Sequence, residues 1–105
     1  MTSKKENQFR FKIFKALSDP TRLKILDFLR NGEKCVCEII PYVGLIQPVV
    51  SRHLKILKDT GLVRDKKDGN KRLYSITEPQ IFQIIDEITP ELISKYNERI
   101  LEGAP

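Results

Sequence analysis

The chain has 105 residues, 40% of them apolar, and a net charge of +5. That length suits a single domain, 1–105, with a modest core. No run approaches the roughly 18 apolar residues of a membrane-spanning helix, and the polar start MTSKKENQFR has no apolar run of the secretory type, so a cytoplasmic location is expected.

The elements follow in chain order. Residues 1–6 are polar and expected to fray. Phe9, Ile13, Phe14 and Leu17 recur at helical spacing and predict a first helix over about 7–18. Ser18-Asp19-Pro20-Thr21 stops it and starts a second, since proline is tolerated in a first turn. Leu23, Ile25, Leu26, Phe28 and Leu29 carry the second helix to Asn31-Gly32. A short third helix is read over 35–43. Pro41 should disturb it, because it offers no N–H to the Cys37 carbonyl. Gly44 turns the chain, Pro48 opens a fourth helix running to about Thr60, and Gly61 ends it. Its inward stripe is Val50, Leu54 and Leu57. Two strand-like runs, 62–67 and 71–76, flank Asp68-Gly69-Asn70 and read as a hairpin. Ile81, Ile84, Ile85, Ile88, Leu92, Tyr96 and Ile100 follow at three- and four-residue spacing, interrupted at Thr89-Pro90. The fold class is therefore mainly α with a small β-hairpin. Helices three and four, about 35–60, form a helix-turn-helix, and the hairpin over about 62–76 makes it a winged one.

Charge is concentrated in this unit. Residues 47–72 hold eight Lys or Arg against three Asp, a net of +5 equal to that of the whole chain. Most basic clusters are solvated surface; here the charges lie on a helix and a hairpin tip, which favours a double-stranded DNA partner. A membrane surface is a poorer fit, since no basic amphipathic helix with an aromatic face stands out. Near the start of the fourth helix, Gln47, Ser51 and Arg52 are candidates to read base edges, while Lys55, Lys67, Lys71 and Arg72 are candidates to neutralise phosphate, with Asn70 at the wing tip. His53, the one histidine, could serve as a ligand, but its place in the fourth helix favours a DNA-facing or a structural role. No acid/base or nucleophile constellation suggests an enzyme.

Several pieces together resemble the ArsR/SmtB family of winged-helix repressors. They are Ala16-Leu17-Ser18-Asp19-Pro20-Thr21-Arg22, Gln47-Pro48, Ser51-Arg52-His53-Leu54 and Gly61-Leu62-Val63. The resemblance implies a homodimer that binds operator DNA without a required cofactor and leaves it when an inducer binds. Cys35-Val36-Cys37-Glu38 resembles the family's Cys-Val-Cys-Asp/Glu signature, which implies As(III), Sb(III) or Cd(II) as inducer held by Cys35 and Cys37. Soft thiolates suit soft ions, and a helix N-terminus favours the thiolate. The sequence departs from the family pattern at Ile40, where arsenic sensors often place a third cysteine, and at Ile46, usually a polar cap. Glu78, Gln80, Glu91 and Ser94 stand where a zinc-type site would need Asp and His.

The same cysteines admit a bland reading as small apolar fillers, and a redox reading in which thiol oxidation is the signal. A structural disulfide is not expected in a reducing compartment, where so small a ring would also add little stability, and the filler reading fits poorly because positions i and i+2 do not share a face of a regular helix. A winged-helix protein-interaction module is the alternative of a different class. The terminal helices, about 7–18 and 78–101, carry Phe9, Ile13, Ile84, Ile85, Ile88, Leu92 and Tyr96, more apolar surface than so small a domain buries alone. They are the expected dimer interface.

Overall fold

A computed structural model describes residues 3–103. Helix α1 spans Lys4–Leu17 and α2 spans Pro20–Leu29. A two-residue strand β1, Lys34–Cys35, precedes α3, Val36–Val43, and α4, Gln47–Asp59. Strands β2, Val63–Asp68, and β3, Lys71–Ile76, form the hairpin. Helices α5, Ile81–Asp86, and α6, Pro90–Glu102, close the chain.

Local chemistry explains the boundaries. Asp19 caps α2 by accepting from the Thr21 and Arg22 amides at 2.8 and 3.1 Å, and Pro20 fills the first turn without losing a hydrogen bond. Gly44 adopts the left-handed conformation that lets the chain leave α3 and enter α4 three residues later. Gly69 has φ +63° at the hairpin turn. The interruption at Thr89-Pro90 separates two helices, with Thr89 accepting from the Leu92 amide.

Three expectations are corrected. The amino-terminal stretch does not fray as a whole: residues 1 and 2 lie outside the described residues, but Ser3 caps a helix already under way at Lys4 by accepting from the Glu6 amide. The expected hairpin is present, and the second change is an addition to it: β1 extends it into a three-stranded antiparallel sheet in the order β1-β3-β2, with Lys34 opposite Tyr74 and Cys35 opposite Leu73. Pro41 lies inside α3 and does not break it; it sits late in a two-turn helix, where the only hydrogen bond denied is that to the Cys37 carbonyl.

The core lies where α2, α3 and α4 meet the base of the wing. Ile25, Leu26, Ile39, Val50, Leu54 and Leu57 are fully buried there, and Leu62, Val63, Ile81 and Phe82 seal the edge. The expected stripe of α4 is thus its buried face. Arg22 ties three elements together: its guanidinium donates to the Ala16 and Lys15 carbonyls at the end of α1 and approaches His53 of α4. At the far side Arg30 forks onto Asp86 at 2.8 and 3.1 Å and lies over the Phe82 ring, holding α5 to α2. Thr77 donates to the Gly61 and Leu62 carbonyls and fastens the base of the wing.

Candidate nucleic-acid interface and thiol site

Burying Val50, Leu54 and Leu57 turns the opposite face of α4 outward. Gln47, Ser51, Arg52 and Lys55 are exposed on it, and Lys67, Asn70, Lys71 and Arg72 are exposed at the wing. His53 departs from this set. Its side chain is only 16% exposed, and Nδ1 lies 3.2 Å from an Arg22 N–H and 4.0 Å from Asp19 Oδ1. An arginine can only donate, so Nδ1 accepts and the ring proton of the neutral form sits on Nε2. Of the two roles read from the sequence, His53 is placed for the structural one, joining α4 to the start of α2.

The cations are not equivalent. Lys55 pairs with Asp59 one turn on, Lys66 with Glu33, and both Lys58 and Arg72 with Asp65. Arg52, Arg64, Lys67 and Lys71 have no carboxylate partner among the described residues. Two of the expected phosphate contacts, Lys55 and Arg72, are therefore engaged within the protein itself. Neither Asp65 nor its two cations stood out as a unit in the sequence, because the three lie on three elements.

Asp65 is the best-buried carboxylate of the wing, its side chain 9% exposed. The hydrogen bond from Lys58, against the opposing effect of burial and with help from Arg72, holds its carboxyl below the ordinary range. Tyr74 directly opposite it shifts the other way: burial, then the Asp65 charge, push the phenol up.

Cys35 is not in the helix but caps it. Its backbone is extended, its Sγ lies 3.0 Å from the Cys37 amide, and Glu38 reaches back to accept from the Cys35 amide at 3.0 Å. This is a capping box with sulfur in the usual place of a hydroxyl. A cap side chain folds over the first turn, so the two sulfurs converge, and the structure joins Cys35 and Cys37 as a disulfide, with Cα atoms 5.0 Å apart. The expectation that no disulfide forms is corrected here. The pair is asymmetric: Cys35 is buried and Cys37 exposed. No group of three or more His, Cys, Asp or Glu arranged to hold a metal exists among the described residues. Reduced to thiolates, the pair would offer a soft ion two sulfurs, with no third side chain of those types beside them among the described residues.

The two regions meet. A groove of about 640 Å³ is lined by Cys35, Cys37 and Ile40 together with Gln47 and Ser51 of α4 and Asn70, Lys71 and Arg72 of the wing. A second groove, of about 420 Å³, lies between the terminal elements and is almost wholly apolar, lined by Phe14, Leu17, Leu23, Ile84, Ile85 and Ile88. Phe9, Phe14, Ile84, Ile88 and Tyr96 are exposed, and α6 buries none of its residues. Ile13 and Ile85 are instead packed partly against the core of their own subunit, and Leu92 is half-buried. Phe11 and Ile93 add exposed apolar surface that the sequence reading left out.

Comparison with known proteins gives a consistent result. The profile described as "Bacterial regulatory protein, arsR family" matches residues 19–65. An arsenical resistance operon repressor of Staphylococcus aureus is 40% identical over 87 residues, which is 83% of this chain and 82% of the relative. A probable mercury resistance operon repressor of Streptomyces lividans is 42% identical over 74 residues, 70% of this chain but 59% of the relative's length. Among solved structures, the homodimeric winged helix-turn-helix DNA-binding domain of a possible ArsR-family transcriptional regulator from Mycobacterium bovis superposes with a TM-score of 0.71 at 26% identity, covering 98% of this chain and 94% of that one.

Proposed function

The chain belongs to the ArsR family of bacterial regulatory proteins, whose members are transcriptional regulators and not enzymes, and from that premise we propose that it is a homodimeric, DNA-binding repressor released from its operator by a thiophilic ion held at Cys35 and Cys37. Gln47, Ser51 and Arg52 read base edges, and Lys67 and Lys71 meet phosphate on either side of Asn70. No cofactor is required for DNA binding. The protein acts in the cytoplasm.

One observation carries this reading. The two sulfurs line the same groove as Gln47 and Ser51 of α4 and Asn70, Lys71 and Arg72 of the wing. In the reduced protein, an ion drawn onto the two thiolates alters the cap of α3 and the floor of the surface that meets DNA. The named relatives support this class of ligand, one being an arsenical resistance operon repressor and the other a probable mercury resistance operon repressor. Two thiolates satisfy mercury(II), whereas arsenite, antimonite and cadmium need further donors from water, a small thiol or the partner chain. The preference of soft ions for thiolate is general.

The test is release from DNA in a gel shift, run across arsenite, antimonite, cadmium, mercury(II), zinc and peroxide. Cys35→Ser and Cys37→Ser are expected to bind DNA and to resist release by the soft ions. Because the ligands must be deprotonated, ion affinity should rise with pH through the thiol range. Equal release of the double Cys→Ser protein would remove these thiols from the reading. Convergence of the sulfurs supports one alternative: release by peroxide alone, reversed by a dithiol reductant, would make the signal oxidation of two thiols to a disulfide.

A further inference from the structure

We propose that Asp65 is a positioning residue for DNA recognition, whose carboxylate locks the wing to the recognition helix and withholds Lys58 and Arg72 from phosphate. The inference rests on the DNA-binding reading above and concerns what sets the geometry of that surface.

The carboxylate is shared between two elements. Oδ1 lies 2.9 Å from Nζ of Lys58, near the end of α4, and Oδ2 lies 3.1 Å from a terminal nitrogen of Arg72 on β3. Asp65 itself is on β2, so one side chain joins the recognition helix to both strands of the wing. Surface ion pairs usually contribute little. This one is different in kind: the acceptor is largely buried, both of its oxygens are engaged, and it bridges elements that must hold a fixed mutual angle to fit a duplex.

The hairpin register shows why the wing needs it. Asp65 is opposite Tyr74 and Lys67 is opposite Arg72. Like charges directly across a strand pair repel, and the diagonal neighbour is within reach of a long side chain. Asp65 is the diagonal neighbour of Arg72. It draws the guanidinium along the sheet toward α4 and away from Lys67, which leaves Lys67 free to face solvent. The basic surface is thereby sorted. Lys58 and Arg72 are neutralised and structural, while Lys67 and Lys71 at the tip, with Arg52 on α4, have no carboxylate partner among the described residues.

The experiment compares two duplexes about 30 base pairs long, enough for two half-sites one helical turn apart. One is selected from a random-sequence pool by the parent protein, and the other is a scramble of the same composition. Affinity is measured by fluorescence anisotropy across a salt series. In Asp65→Asn the two cations are freed. The salt dependence should steepen by about 0.9 for each that reaches phosphate, while preference for the selected duplex falls about tenfold as the wing loses its fixed angle. Adding Arg72→Gln to Asp65→Asn should remove one such increment. Lys58→Gln, which breaks half the bridge and leaves Asp65 in place, should lower discrimination without flattening the salt dependence. The proposal is overturned if Asp65→Asn weakens both duplexes by one factor with the salt dependence unchanged. It is overturned equally if Lys58→Gln flattens that dependence by about 0.9 with discrimination intact, since Lys58 would then be a phosphate contact. A parent protein that binds neither duplex would instead defeat the DNA-binding reading itself, an outcome distinct from normal parent binding with an unaltered Asp65→Asn.

Discussion

Asp19 shows how much a single side chain does at the hinge of this fold. It caps α2 through two amides and stands 4.0 Å from the Nδ1 of His53 on α4. Burial opposes its ionisation, but hydrogen bonds from the Arg22 and Thr21 amides, with the Arg22 charge, outweigh it and hold the carboxyl below its ordinary value. A depressed carboxyl stabilises the fold fully above its unfolded value, near 3.8. That contribution is lost as pH falls through the lower folded value. Two substitutions separate cap from charge. Asp19→Ala should cost about 1 kcal/mol at neutral pH through loss of the cap. Asp19→Asn keeps an acceptor there and should cost less, and its urea midpoint should fall less steeply than the parent's on acidification below about pH 5. An Asn variant that loses stability with acid as steeply as the parent would show that the Asp19 charge contributes nothing to this linkage.

At the scale of elements, the proposed reading divides the work of binding DNA between α4 and the wing, and that division is measurable. Arg52 is on the exposed face of α4 near its start, and Lys67 is on the wing. Arg52→Ala should cost about 1–3 kcal/mol on a preferred duplex and relax sequence preference. Lys67→Ala should weaken all duplexes alike and reduce the salt slope by about 0.9. Identical specificity profiles for the two variants would undo the assignment. Much of this architecture was legible because helices here are punctuated by residues with few alternatives: Asp19-Pro20, Gly44, Pro48, Gly61 and Thr89-Pro90 all fall at element ends. The missed parts share a cause, which is dependence on partners distant in sequence or on an unusual atom. Strand β1 is two residues long and exists only because β3, nearly forty residues on, pairs with it. The first turn of α1 shows no apolar period, though Ser3 and Glu6 at capping-box spacing are the local signal that marks its start. Convergence of Cys35 and Cys37 required a sulfur to act as a helix cap, a role seldom assigned to cysteine. The Asp65 bridge becomes visible only once the hairpin register is known.

At the scale of the molecule, the described chain measures 56 × 34 × 23 Å, long for its size, because its terminal helices lie outside the compact centre. In α1 only Ala16 is buried, and in α6 nothing is. Phe9, Phe14, Ile88 and Tyr96 are each more than half exposed, and the apolar groove between α1 and α5 continues the same surface. Apolar surface of this extent marks an interaction site, and the proposed homodimer would cover it with a second copy of the chain, since the proposed DNA reading by α4 gains from two half-sites related by a two-fold axis. Ile85 is a poor probe of this, since it packs partly against its own core. Ile88 is the better one, at 62% exposure. Ile88→Asp should leave the circular dichroism spectrum unchanged, convert a dimer at micromolar concentration to a monomer in sedimentation, and weaken binding to an inverted repeat far more than to a single half-site. The half-site comparison separates lost dimerisation from lost folding, since an unfolded variant loses both targets. A parent chain that sediments as a folded monomer at that concentration, and binds an inverted repeat no more tightly than one half-site, would show that these helices face something other than a second copy.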